Sequence, residues 1–187
     1  MPAVQMIESE LAALLIVDVQ DKMLPAIRTV EPDRLVSRIE KLIRACALLD
    51  VPILYTEHYP QGLGTTDVRL RTALAAHAEP IVKTTCSCWR NESFRRALQL
   101  AGREHVILTG VETHVCIQQT TLDLIRMDFI PFVAADACGS RGQEDADLAL
   151  RRMAHAGAEV TSTEAILFEL IERCDHPQFK EVLKLIK

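Results

Sequence analysis

The run Ala12-Ala13-Leu14-Leu15-Ile16-Val17, followed at once by Asp18-Val19-Gln20, sets the reading of the whole chain. An unbroken apolar run of this length, rich in Leu, Ile and Val, is how a strand covered on both faces reads; a strand with one wet face would alternate. Short runs of the same kind recur at 51–55, 80–82, 105–108, 130–134 and, more weakly, 158–160. Between them lie longer stretches of helical period. Over 33–49, Leu35, Ile39, Leu42, Ile43 and Ala47 fall near one helix face. Pro32 stands near the start of that stretch and Pro52 beyond its end, as helix punctuation requires. Further helices are expected over 68–78, 92–101, 115–127, 144–156 and 164–172, with Asn91 as a cap and Gly102 and Gly157 as terminators.

Strand and helix alternating in this way predict a three-layer α/β/α domain, with helices on both faces of a mainly parallel, Rossmann-like sheet of about six strands. No repeat and no Gly/Ser- or Pro-rich linker divides the 187 residues, so residues 1–187 are expected to form a single domain. In such sheets, active sites form beyond the carboxyl ends of the strands, near the point where strand order reverses. The loops after the first, third and fourth strands are therefore the places to look for chemistry.

Composition narrows the function classes. Hydrophobic residues make up 49% of the chain and charged residues 25%, which suits a large core under an ordinary soluble surface. The formal net charge of -5 reads against a nucleic-acid partner. Basic residues gather only in pairs such as Arg95-Arg96 and Arg151-Arg152, which read as solvated helix faces. The first ten residues carry Glu8 and Glu10 and no basic stretch, so no signal peptide is expected. No apolar run approaches the ~20 residues needed to span a bilayer. A cytoplasmic protein with no membrane partner follows, and its six cysteines (Cys46, Cys86, Cys88, Cys116, Cys138 and Cys174) are expected as free thiols.

Three polar residues stand at the ends of the expected strands. Asp18 follows the first strand; a carboxylate there is half buried by position, and taken alone it reads as a cap or a structural ion pair. Lys83 ends Pro80-Ile81-Val82-Lys83, and taken alone it reads as a side chain reaching out to solvent. Cys116 ends Thr109-Gly110-Val111-Glu112-Thr113-His114-Val115-Cys116 and falls near the start of a helix. Free amides there, helped by a neighbouring lysine, would favour thiolate, whereas most single cysteines are inert and buried. The expected fold brings all three strand ends to one edge, where a thiol, a carboxylate and an amine make a nucleophile with a base and a cation.

With these residues in view, the chain resembles the isochorismatase-like cysteine hydrolases, a superfamily that includes nicotinamidases and carbamoylsarcosine amidohydrolases. The resemblance rests on Leu14-Leu15-Ile16-Val17-Asp18-Val19-Gln20, Ile81-Val82-Lys83 and the segment ending at Cys116, and it extends over nearly the whole chain. Glu57-His58-Tyr59-Pro60-Gln61-Gly62-Leu63-Gly64 and Ala135-Asp136-Ala137-Cys138-Gly139-Ser140-Arg141 are most similar to its isochorismatase-domain-containing branch. The resemblance implies a catalytic triad of Asp18, Lys83 and Cys116. It also implies a non-proline cis peptide at Val111–Glu112 and an oxyanion hole made by the backbone N–H groups of Glu112 and Cys116.

Two departures from the superfamily matter. Nicotinamidases carry an Asp/His metal cluster after the second strand; here the loop offers Glu57 and His58 without a matching set, which reads against nicotinamide hydrolysis and against a catalytic zinc. The family often places an aromatic residue three positions after the lysine, where this chain has Cys86, which would widen or soften the pocket wall.

The expected activity is hydrolysis of a small amide, carbamoyl or related carbonyl compound through a thioester on Cys116, with no cofactor and no metal. Asp18 would take the thiol proton and later return it to the leaving group. Isochorismate fits this reading poorly, because vinyl-ether hydrolysis does not need a thiol. Leu24, Tyr59, Trp89 and His114 are candidate pocket walls, although ordinary packing explains each as well. Apolar positions Ile166, Leu167, Leu170 and Ile171 suggest either core or a self-association surface, and a homo-oligomer is expected.

Rival readings remain. Cys86-Ser87-Cys88 with Cys116 could gather sulfurs in a redox or metal-binding module, but one C-x-C lacks the paired spacing of a structural zinc site. A dinucleotide-binding enzyme is rejected, since the turn Asp18-Val19-Gln20-Asp21-Lys22-Met23 has no glycine to admit a pyrophosphate. A catalytically silent scaffold on the same fold is not excluded by possession of the residues.

Overall fold

A computed structural model describes residues 5–186. The predicted first strand is strand β1, Ala12–Val17, and every residue in it is buried. It lies inside a sheet whose other strands are β2 (Ile53–His58), β3 (Pro80–Lys83), β4 (His105–Val111), β5 (Ile130–Gly139) and β6 (Glu159–Thr161). The spatial order is β3-β2-β1-β4-β5-β6 and every pairing is parallel. The chain winds outward from β1 to β3, then crosses back to place β4 on the other side of β1. The crevice where strand order reverses therefore lies between the carboxyl ends of β1 and β4.

The helices are α1 (Pro32–Leu48), α2 (Pro60–Leu63), α3 (Val68–Leu74), α4 (Glu92–Ala101), α5 (Gln118–Arg126), α6 (Gln143–Ala156), α7 (Thr163–Ile171) and α8 (Phe179–Ile186). They divide the core into one body on each face of the sheet. One gathers α1, α3, α7 and α8 on Leu14 and Ile16; the other gathers α4, α5 and α6 on Ala13, Leu15 and Val17. Leu35, Ile39, Leu42 and Ile43 of α1 are buried, as the period of the helix requires, each contributing roughly 1.5–3 kcal/mol relative to exposure. The Asn91 side chain accepts from Phe94 N–H at 3.0 Å, and Gly102 and Gly157 end their helices in the left-handed conformation.

Several expectations change in detail. The strands at 51–55, 105–108 and 130–134 begin or end later, because β2, β4 and β5 carry polar and small residues out to the carboxyl edge that apolar runs do not mark. The helix expected over 115–127 starts as a π-helical turn, Thr113–Ile117, before α5 takes over. The two edge strands are half open to solvent, unlike β1. Ile166, Leu167, Leu170 and Ile171 belong to the core, which settles their two readings.

Gly110 decides how closely β4 approaches β1. It stands opposite Val17 with φ of 121°, and a Cβ there would run into the Val17 backbone. Only glycine satisfies both constraints, so β1 and β4 stay paired up to the residues that precede the crevice. The ladder to β5 shifts register at the same place, between Leu108 and Gly110.

Candidate active site

Asp18 leaves β1 in the left-handed conformation, φ 54°, which aspartate tolerates better than most residues. Its amide donates to Thr56 O of β2 at 3.1 Å, and its side chain is 0% exposed. Lys83 ends β3, two strands away, and its stem crosses the end of β2 to reach the crevice. Lys83 Nζ donates to Asp18 Oδ2 at 2.6 Å, to Thr85 O at 3.0 Å and to Cys86 O at 3.3 Å. At 1% exposure it does not reach solvent, so the simpler reading of this lysine is corrected. A buried ammonium must be paired and hydrogen-bonded, and this one is.

Cys116 lies in the π-turn between β4 and α5. Its Sγ is 3.8 Å from Lys83 Nζ, and the residue is 5% exposed. The peptide Val111–Glu112 is cis. The amides of Val115 and Ile117 both donate to Glu112 O at 3.1 Å. Convergence of the three side chains, which lie 65 and 33 residues apart along the chain, is thus a matter of strand order.

The electrostatics differ from the expectation for a helix terminus. Burial and the Asp18 carboxylate push the Cys116 thiol well above the usual range, and Lys83 pulls it down without prevailing. Burial also works against the Lys83 charge, but Cys88, Asp18 and Cys116 favour it and the ammonium is held above the ordinary lysine value. Both thiols keep their protons at neutral pH, so Asp18 is the partner that counts there. The resting arrangement is a thiol beside a carboxylate–ammonium pair.

Sequence reasoning missed three residues that hold this arrangement, Thr56, Thr120 and Gln20, and read Cys88 only as one of the sulfurs that could gather with Cys116. Thr56 Oγ1 donates to Asp18 Oδ1 at 2.7 Å and lies 3.8 Å from Cys88 Sγ. Thr120 Oγ1 accepts from Cys88 N–H at 2.9 Å and donates to Cys116 O at 2.7 Å, tying the segment after β3 to the π-turn. Gln20, fully buried, accepts from His58 N–H at 2.7 Å and donates to His58 O at 3.1 Å and Gly64 O at 2.6 Å. Thr56 lies just past the apolar run 51–55, so no local pattern marks it, and none marks Gln20 or Thr120; Cys88 stands out in the sequence only through its pair with Cys86.

The candidate walls fare differently. His114 lies within the turn, with Nδ1 3.0 Å from Ser140 Oγ and Nε2 3.6 Å from Glu112 Oε2, while Arg141 Nε pairs with Glu112 at 2.9 Å. Leu24 is buried in the core on the α1 face. Trp89 packs on Phe129 with ring centroids 5.4 Å apart, and Tyr59 is 53% exposed, so both sit in roles that packing and surface explain. Glu57 Oε1 accepts from Thr66 N–H and Oγ1–H at 2.7 and 2.9 Å and so anchors the loop after β2. All six cysteines are free. Among the described residues, no group of three or more His, Cys, Asp or Glu is placed to hold a metal.

Sheet order and site together define an isochorismatase-like α/β domain, a fold family whose members are generally hydrolases. The chain belongs to the isochorismatase family: the model of the Isochorismatase domain matches residues 12–165. It is similar to isochorismatase domain-containing protein 2A of Mus musculus, with 40% identity over 183 residues covering 95% of this chain and 84% of that protein. It is also similar to a solved structure described as the MAR1 ribonuclease from Caenorhabditis elegans, with TM-score 0.91 and 36% identity over 97% of this chain and 92% of that one. The YcaC gene product of Escherichia coli, described as an octameric hydrolase of unknown specificity, superposes with TM-score 0.88 and 25% identity over 98% and 97% of the two chains.

Proposed function

We propose that residues 1–187 act as one cysteine-dependent hydrolase domain that cleaves a small amide, carbamoyl or related carbonyl compound at Cys116. The observation that carries the reading is the meeting of Asp18, Lys83 and Cys116 in a nearly dry crevice at the switch point, with Lys83 Nζ 2.6 Å from the carboxylate and 3.8 Å from the sulfur. Asp18 takes the proton from Cys116 Sγ as the sulfur attacks the carbonyl carbon. A thiol this strongly held makes the neighbouring base essential, because little thiolate exists before the substrate arrives. Lys83 orients Asp18 and offsets the negative charge as it forms. The oxyanion rests on the N–H groups of Glu112 and Cys116; the amides on either side of Cys116 are already engaged by Glu112 O, which supports this choice. The C–N bond then breaks, Asp18 returns its proton to the leaving nitrogen, and water activated by the same carboxylate cleaves the thioester.

The ribonuclease description of the nematode structure brings a second substrate class. Two observations favour a small neutral substrate over RNA: Cys116 is only 5% exposed, and the net charge is -5. Among the described residues no helix is long and apolar enough to cross a membrane, and we place the protein in the cytoplasm without a membrane partner. Exposed Val68, Leu100, Leu148 and Phe168 and the octameric Escherichia coli relative support a homo-oligomer. The test is a panel of small amides and carbamoyl compounds assayed for ammonia release, with an RNA oligomer alongside. Turnover by the native chain that is lost in Cys116→Ala supports the reading; full turnover in Cys116→Ala, or RNA cleavage without amide cleavage, refutes it.

A further inference from the structure

Asp18 is held from two sides, with Lys83 Nζ on one of them. On the other side, Thr56 Oγ1 is 2.7 Å from Asp18 Oδ1 and 3.8 Å from Cys88 Sγ. A hydroxyl has one proton, and an ionised carboxylate can only accept, so the Thr56 proton is committed to Asp18. The contact with Cys88 then has one direction left: the thiol donates and Thr56 Oγ1 accepts. Thr56 is 1% exposed and Cys88 0%, so water does not stand in for either.

We propose that Thr56 and Cys88 are positioning residues, a relay running from Cys88 Sγ–H to Thr56 Oγ1 and from Thr56 Oγ1–H to Asp18 Oδ1, which aims the carboxylate at Cys116 and moderates its hold on the proton it takes. Chains of hydrogen bonds in a dry interior reinforce one another, so the thiol strengthens the donor that Asp18 feels. Burial pushes the Cys88 thiol up to about 11, so it keeps the proton it donates across the neutral range. Thr120 also lies beside this thiol, and it holds the Cys88 backbone against the Cys116 carbonyl, so the far end of the relay is anchored to the turn it serves. The substrate-free geometry thus supplies a second thiol whose work is donation and not attack.

This relay rests on Asp18 being the base, and the test separates the two ideas. Alkylation of Cys116 by iodoacetamide is followed by peptide mass spectrometry across pH in the full-length chain, with thermal melts as a fold control. Loss of one donor to a carboxylate makes it protonate more readily, so Thr56→Val moves the low-pH limb of the rate upward by about one pH unit. Thr56→Ser restores the limb, and Cys88→Ala moves it the same way by less. A folded Thr56→Val with an unmoved limb overturns the relay. Where Thr56→Val does not fold, Thr56→Ala and Cys88→Ala read the same limb, and an unmoved limb in both overturns it as well. Asp18→Asn should abolish the native limb and leave only a rise that follows ionisation of the Cys116 thiol itself. A limb that stays at its native pH in Asp18→Asn overturns the functional reading itself, whereas one that leaves that pH there but stands still in the Thr56 variants overturns the relay alone.

Discussion

Replacing Lys83 by methionine keeps the buried stem and removes the ammonium that Asp18, Thr85 O and Cys86 O share. Both members of the Asp18–Lys83 pair have 0% side-chain exposure, so the change strands a carboxylate that water does not reach. Breaking a buried pair from one side costs about 3–5 kcal/mol, because the remaining charge loses its compensation. In a domain of this size that lowers Tm by roughly 6–20 °C. The assay is urea unfolding of native, Lys83→Met, Asp18→Asn and the double variant. The double variant should recover part of the loss, since both charges are then gone, and the coupling should be at least about 1 kcal/mol. The pH dependence has a definite sign. The folded Lys83 value is raised, so its contribution is fully present below the unfolded value of about 10.4 and is lost as pH rises through the higher folded value. The penalty in Lys83→Met should therefore be level through neutral pH and shrink only in strong alkali. A loss below about 1 kcal/mol, the range of exposed pairs, with no coupling in the cycle, would refute the buried pair on which the site depends.

Other outcomes follow from particular contacts. Gly110→Ala should destabilise the protein by about 2–4 kcal/mol in urea unfolding, since a methyl at φ 121° meets the Val17 backbone; a neutral result would mean that β1 and β4 are less tightly apposed. Gln20→Ala removes three hydrogen bonds from the segment after β1 to His58 and Gly64 and should cost about 1–3 kcal/mol, with faster proteolysis of the 59–64 segment as the visible sign. His105 is held below the usual histidine value by burial, so the folded state resists the proton that the unfolded chain accepts below about pH 6.5. Stability should therefore fall as pH drops through that region, and His105→Asn should flatten the slope in pH-dependent thermal melts. Native-state alkylation should reach the exposed Cys174 before Cys116, and leave Cys46, Cys88 and Cys138 unmodified until the chain unfolds; early labelling of Cys88 would contradict its burial.

Much of the fold was legible because burial leaves a local imprint. The apolar runs around Leu14 and Ile107, the period of Leu35, Ile39, Leu42 and Ile43, and punctuation at Asn91, Gly102 and Gly157 each report an element from its own residues. Boundaries slipped at the carboxyl edge. Strands β2, β4 and β5 run on past their apolar stretches through Thr56, Gly110 and Cys138, polar or small residues that an apolar run does not mark. The stretch before α5 is a π-turn, Thr113–Ile117, which the helical period does not reveal.

Sequence alone determined the elements, their alternation and the three chemical groups at strand ends, because those features depend on nearest neighbours and on the resemblance the motifs carry. Tertiary structure decided which bland reading failed and which held. Lys83 is buried and not solvent-seeking because β3 lies two strands from β1 and the crevice between gives it a carboxylate to meet. Cys116 is a firmly held thiol and not a ready thiolate because desolvation and Asp18 act across space, where no window of sequence can register them. Thr56, Cys88 and Thr120 entered the site in the same way. Their importance comes from distances of a few ångströms between residues more than thirty positions apart, and only the packed sheet sets those distances.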